Sequence, residues 1–321
     1  MCLKSRWLGR RQCLATLLFC AASLLSMSAL STSLLSTSAL SQAVAAPPDA
    51  APENALFREL TTVGVPLGAD AKATLPAPLL ADGLDAAGQN RALAELADET
   101  HPLEALLRKS VVAPFKLKMS DVAAAGTPGT GRRVDLWFVV YADLDRIADV
   151  DVLQHGFEAE TKSDSGSAPK LTTLSEADLT KREITPGTDE RWFAGSMNLF
   201  DRVQLAVTLA GEQTRTPESV LVAMRIDPRF DDDRQFPNRW VPLARDEAGT
   251  QKPGQPHSYH AAGGYLKATR LHEPAGAVLV EYHLAFDEPA GWFSGANLLR
   301  SKLPIVCQDG VRRFRRRFAA H

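Results

Sequence analysis

The chain reads as an α+β protein: a curved antiparallel sheet gripped by a long C-terminal helix, with a helical N-terminal extension. Three observations predict this. Between residues 134 and 286, β-branched and aromatic stretches come in hairpin-connected pairs, without the strand–helix alternation of a parallel sheet. At the end the period changes, and Leu303, Val306, Cys307, Val311, Phe314 and Phe318 recur mostly at spacings of three and four, on one helical face. From Leu56 to about Ser110 the signals are helical and broken by loops.

The first segment is an address rather than part of the fold. Lys4, Arg6, Arg10 and Arg11 precede an apolar run from Leu14 to Leu25, and a Ser/Ala-rich stretch ends at Ala43-Val44-Ala45. This is the pattern of a secretory signal peptide cleaved near Ala45, which places the mature protein in the periplasm or outside the cell. Arg10-Arg11 stands where a twin-arginine signal carries its pair, so both the general and the twin-arginine routes stay open. The apolar run is shorter than the ~20 residues of a membrane span. Cleavage removes four basic and no acidic residues, leaving 32 Lys and Arg against 38 Asp and Glu, a net charge near −6. A mildly acidic chain argues against a nucleic-acid partner. Cys2, Cys13 and Cys20 leave with the signal, so Cys307 has no partner for an intramolecular disulfide.

Residues 46–55, rich in Pro and Ala, form a linker. Residues 56–125 are the helical extension, with Asp85 capping a segment that holds Leu93 and Leu96, and Pro102 opening another. Residues 126–321 are the α+β domain. Val134 to Tyr141 suits a strand, as do Val203–Leu209 and Val220–Ile226. Lys162 to Lys170 reads as a loop, and Asp227 to Pro242 as a long turn-rich segment. Gly264–Leu271 and Ala277–Phe286 form a second hairpin. Asp287 to Gly291 then breaks the sheet. Ser294 is the expected cap of the final helix, with Pro304 either kinking it or opening its second half.

The last strand, the turn Pro289-Ala290-Gly291-Trp292 and the closing helix to Phe318 resemble the ending of START-like, or helix-grip, domains. The resemblance covers about forty residues, from Val278 to Phe318. It implies a helix lying across a curved sheet, with a cavity for a lipid or another apolar molecule between them. A working pocket of this kind needs about 300 Å3 or more.

On that reading Trp137, Trp192, Trp240, Trp292 and Phe314 are candidate cavity-lining residues; the other interpretation is ordinary core aromatics. Arg312, Arg313, Arg315, Arg316 and Arg317 make a basic C-terminus that complements the helix dipole. Of these, Arg312, Arg313 and Arg316 are candidate contacts to an anionic membrane surface. His257 and His260 sit in a loop without further ligands at a metal-site spacing, and His283 reads as a packed or half-exposed strand residue. Asp227 with Asp231, Asp232 and Asp233 reads as a solvated turn rather than a calcium loop. No catalytic motif, metal or cofactor is selected. The function expected is an exported, non-enzymatic binding module for an apolar or amphiphilic, lipid-like ligand. The alternative is a structural or partner-binding cell-envelope protein with a filled core and no ligand. A hydrolase or isomerase rests only on the versatility of the fold.

Overall fold

A computed structural model of the chain describes residues 53–67, 71–122, 129–148, 170–247, 250–293 and 297–319. The expected signal peptide, residues 46–52 of the linker, the loop at 162–170 except for its last residue, and the Ser294 cap lie outside these residues; the last linker residues, 53–55, lead into a helix instead.

Two strands, β1 (Val65–Leu67) and β2 (Ala71–Ala73), form a small hairpin. Eleven more among the described residues make one antiparallel sheet: β3 (Lys116–Val122), β4 (Gly129–Tyr141), β5 (Lys170–Thr173), β6 (Glu190–Leu199), β7 (Val203–Arg215), β8 (Ser219–Ile226), β9 (Arg239–Arg245), β10 (Gln251–Pro253), β11 (His257–Ser258), β12 (Ala262–Arg270) and β13 (Ala277–Pro289). Its main path runs β10-β9-β7-β8-β12-β13-β4-β3. The helices are α1 (Ala55–Thr62), α2 (Ala86–Ala94), the short α3 (Leu103–Leu106), α4 (Leu144–Ile147) and α5 (Glu176–Thr180), and the long α6 (Leu298–Ala319). The second expected hairpin is β12–β13. The strand continues to Pro289, so the break comes later than the turn residues from Asp287 predict.

Helix α6 buries the stripe the periodicity selects, with Leu303, Val306, Val311 and Phe314 against the inner face of the sheet. It continues through Pro304. Phe314 meets Phe138 of β4 edge-on at 5.6 Å. Arg315 breaks the apolar stripe yet is only 4% exposed. Its guanidinium donates to the carbonyls of Val139 (2.8 Å), Pro114 (3.0 Å) and Ala113, which ties helix, sheet and the segment before β3 together. Burial among neutral acceptors pulls Arg315 down to about 10.

The extension expected over 56–125 is not wholly helical, and it packs on the sheet. It contains the β1–β2 hairpin, and its last strand, β3, pairs with β4 inside the main sheet. The rest lies on the sheet's outer face. Helix α1 is capped by Asn54 and by the Glu212 carboxylate of β7, which accepts from the amides of Ala55 and Leu56. Leu60, Val65 and Leu67 pack there with Ala223, Tyr265 and Ala285. A Cβ on Gly263 of β12 would stand 3.0 Å from Leu60 and Val65, so the close fit of this layer relies on a residue without a side chain. Asp85 and Pro102 sit at the helix starts that the sequence assigns to them. Gln89 of α2 then bridges to the β12–β13 hairpin, donating to the Arg270 carbonyl and accepting from the His272 amide.

One edge of β7 is shared. Residues 209–215 pair with β8 and residues 203–206 with β9, so the sheet forks at Thr208. Asn238 fills the fork and is fully buried. Its carbonyl oxygen accepts from the Thr208 amide (2.7 Å), and its amide nitrogen donates to the Asp227 carbonyl and the Asp231 carboxylate (both 2.8 Å). Asn238→Ala leaves the Thr208 N–H buried without an acceptor, which costs about 1–3 kcal/mol. Urea denaturation of the two proteins should show that loss with the slope unchanged.

Candidate functional site

The two faces of the central strands differ in chemistry. On the inner face, Leu171, Gly195 and Val207 align across β5, β6 and β7, and Met224, Gly264 and Leu284 align across β8, β12 and β13. Each row has large side chains on either side of a glycine, and the missing side chains leave room. With Met197, Leu209, Ile226, Ala262 and Tyr282 these residues line a slot whose wall is almost wholly apolar. A Cβ on Gly264 would meet the His283 carbonyl oxygen at 2.5 Å, so backbone packing also demands glycine there.

The cavity is about 30 Å3, within a cleft of about 500 Å3 that is continuous with solvent. That is room for a few water molecules at most. It falls well below the expected 300 Å3. No residue of α6 lines it, so it lies beside the gripping helix rather than beneath it. Two of its walls are methionines, whose flexible thioethers yield to a guest at small cost.

The candidate tryptophans do not line this slot. Trp137 is on the outer face, where its indole N–H donates to Glu281 at 3.2 Å. Trp192 belongs to a satellite core with Leu174, Leu179, Ile184 and Phe230, and its N–H donates to Asp227 at 2.6 Å. Trp240 and Trp292 join the main core beside Tyr259; Trp240 stacks on His257 with ring centroids 4.4 Å apart. Phe314 is in the helix–sheet contact. The alternation of strands β6 to β8 marks the inner positions that do line the slot, but it does not separate a slot wall from a filled core.

The charged residues also depart from the simplest reading. Arg312 and Arg313 are half-buried, and burial pulls Arg313 below the usual range. Arg316 is exposed near the end of α6. Asp227 is buried rather than solvated: burial favours its neutral form, but bonds from Arg229 and Trp192 outweigh this and keep its carboxyl below the usual range. Asp233 is held down at about 2 by Arg182. His260 pairs with Asp231 at 2.8 Å. Burial pushes the Cys307 thiol up to about 12. Among the described residues no group of three or more His, Cys, Asp or Glu is placed to hold a metal ion. No described helix is long and apolar enough to cross a membrane.

The outer face carries a buried ionic cluster that sequence reading missed. Asp135 of β4, His283 of β13 and Tyr265 of β12 stand in one cross-strand row, and Trp137, Glu281 and Lys267 in the next. His283 Nδ1 lies 2.8 Å from Asp135 Oδ1; since a carboxylate can only accept, that nitrogen carries the proton. His283 Nε2 faces Glu281 at 3.8 Å. Burial disfavours the imidazolium, but the two carboxylates outweigh it and raise His283 above its ordinary value.

No family model matches the chain, and no curated protein does. Among solved structures it is similar to the human StarD13 (DLC2) lipid transfer and protein localization domain, with 7% identity and a TM-score of 0.36, over 64% of this chain and 90% of that one. It is similar also to human STARD10, with 10% identity and a TM-score of 0.32, over 76% and 88%. A third is CalU16 from Micromonospora echinospora, with 11% identity and a TM-score of 0.22, over 64% and 97%. The likeness to START-domain structures is weak.

The slot makes a prediction that requires no ligand. Val207→Phe adds volume where there is space and should cost less than about 1.5 kcal/mol, whereas Val220→Phe, in filled core on β8, overpacks and should cost about 1–3 kcal/mol. Paired thermal or urea melts give the difference.

Proposed function

We propose that the protein is an exported, non-enzymatic binding module that takes an apolar or amphiphilic, lipid-like molecule into the slot between β5–β8 and β12–β13. One observation carries the reading: a solvent-connected cleft with an almost wholly apolar wall, built around glycines and flexible methionines. Such a wall offers a guest burial and no directed polar contact, which suits a hydrocarbon part and leaves any headgroup at the mouth. Moving one methylene out of water is worth about 0.8 kcal/mol. A chain of about eight methylenes therefore outweighs several displaced side chains at about 0.5–1.5 kcal/mol each. Arg312, Arg313 and Arg316 are the proposed contacts for an anionic membrane surface during loading. Export rests on the composition of residues 1–45.

The small cavity favours a second reading, a cell-envelope protein whose core its own side chains fill. A fluorescent fatty-acyl probe titrated into the mature protein separates the two. The ligand reading expects saturable binding that Val207→Phe weakens at least tenfold and that a surface change such as Lys72→Ala leaves alone. A signal that never saturates, or that both variants keep equally, favours the filled core. For export, fractionated cells should yield a mature form beginning at Ala46; full-length protein retained in the cytoplasm would contradict it.

A further inference from the structure

We propose that residues 76–82 form a strap closed over the outer face of the sheet by the proton on His283, and released when that proton leaves. The strap is a run without helix or strand between the β1–β2 hairpin and α2, and its polar contacts to the sheet come from side chains beneath it. The amides of Leu79 and Leu80 donate to Glu281 at 2.7 and 3.3 Å. The carbonyl of Leu80 accepts from the Lys267 ammonium at 2.7 Å, and that of Pro76 from the Tyr265 hydroxyl at 2.7 Å. Asp82 ends the strap, paired with Lys267 at 2.8 Å and bonded by Ser219 at 2.9 Å.

The charges facing one another in this layer come from every element around it. From β4 come Arg133 and Asp135, paired at 3.1 Å; from β13 come Glu281 and His283; from β12 comes Lys267; from the strap comes Asp82. Tyr265 contributes a phenol that burial keeps neutral. Lys118 stands opposite Asp135 on β3, but it is exposed and belongs to the solvent side. With His283 protonated, three cations face three anions. With His283 neutral, two face three, and the excess negative charge falls among Asp135 and Glu281, both at most 1% exposed. An uncompensated buried charge costs far more than a buried pair. Glu281 is the carboxylate that holds the strap amides and also faces His283 Nε2, a nitrogen with no hydrogen-bond partner. Release of the strap admits water to Glu281 and is the shortest way to relieve the imbalance.

The sign follows from linkage. The folded protein binds this proton more tightly than the unfolded chain does, because burial against it is outweighed by Asp135 and Glu281. The stabilisation is therefore complete below the ordinary histidine value of about 6.5, and it is lost as pH rises through the raised folded value.

Hydrogen exchange of the full chain between pH 5.5 and 9, corrected for intrinsic amide chemistry, tests the latch. Protection at Leu79 and Leu80 should fall several-fold as pH rises, while that of α6 stays level. His283→Gln should exchange at the strap as the wild type does at high pH, with no pH dependence. Glu281→Gln, which removes one anion and keeps an acceptor, should stay closed at pH 9. Should either variant fail to fold, the wild-type His283 ring proton followed by NMR must titrate together with the strap amides. Strap protection that is flat with pH, that falls only in step with α6, or that changes at a pH where His283 does not titrate overturns the proposal.

Discussion

The central strands of this sheet have no solvent side, and the rest of the structure follows from that constraint. Strand β12 is buried from Ala262 to Thr269 and β13 from Ala277 to Phe286, on both faces. An antiparallel sheet commonly leaves one face wet. Here the main core closed by α6 takes the inner face, apart from the slot beside it, and the segment before β3 takes the outer one. The outer layer therefore completes the domain, and without it Glu281, His283 and Asp135 would be wet surface residues. Arg315 joins the layers across the edge by bonding at once to β4 and to the carbonyls just before β3.

Two-sided burial divides the chemistry of each strand. Tyr282 and Leu284 face the apolar slot, while Glu281 and His283, the residues alternating with them, face the ionic layer. The inner face has room because glycines interrupt its rows, and the outer face has strength because hydrogen bonds and ion pairs link its charged groups. The slot thus lies on strands that are braced from behind.

Much of the architecture was legible in the sequence. Period-two strands, the β12–β13 hairpin and the three-and-four spacing of Leu303 to Phe318 each lead to the element observed. The outer layer was not legible, because Asp135, Glu281 and His283 alternate with apolar residues just as solvent-facing residues do. Only knowledge that residues 76–82 pass over them changes the meaning of that alternation. The tryptophans stand apart from the slot for a related reason. Ring size marks burial, but Trp137 and Trp192 both spend their indole N–H on carboxylates away from the slot. Gly195 and Gly263-Gly264 were the better signal, since glycine inside a strand marks a bulge or a close approach.

The central proposal is that a hydrophobic guest enters the inner-face slot opposite the ionic layer. Photolabelling answers this directly: a long-chain alkyl diazirine is equilibrated with the protein, illuminated, and the adducts are mapped by peptide mass spectrometry. The account predicts saturable labelling concentrated on the peptides that carry Met197, Leu209, Met224 and Leu284. Labelling scattered over the surface, or concentrated on α6 or on residues 76–82, would contradict it.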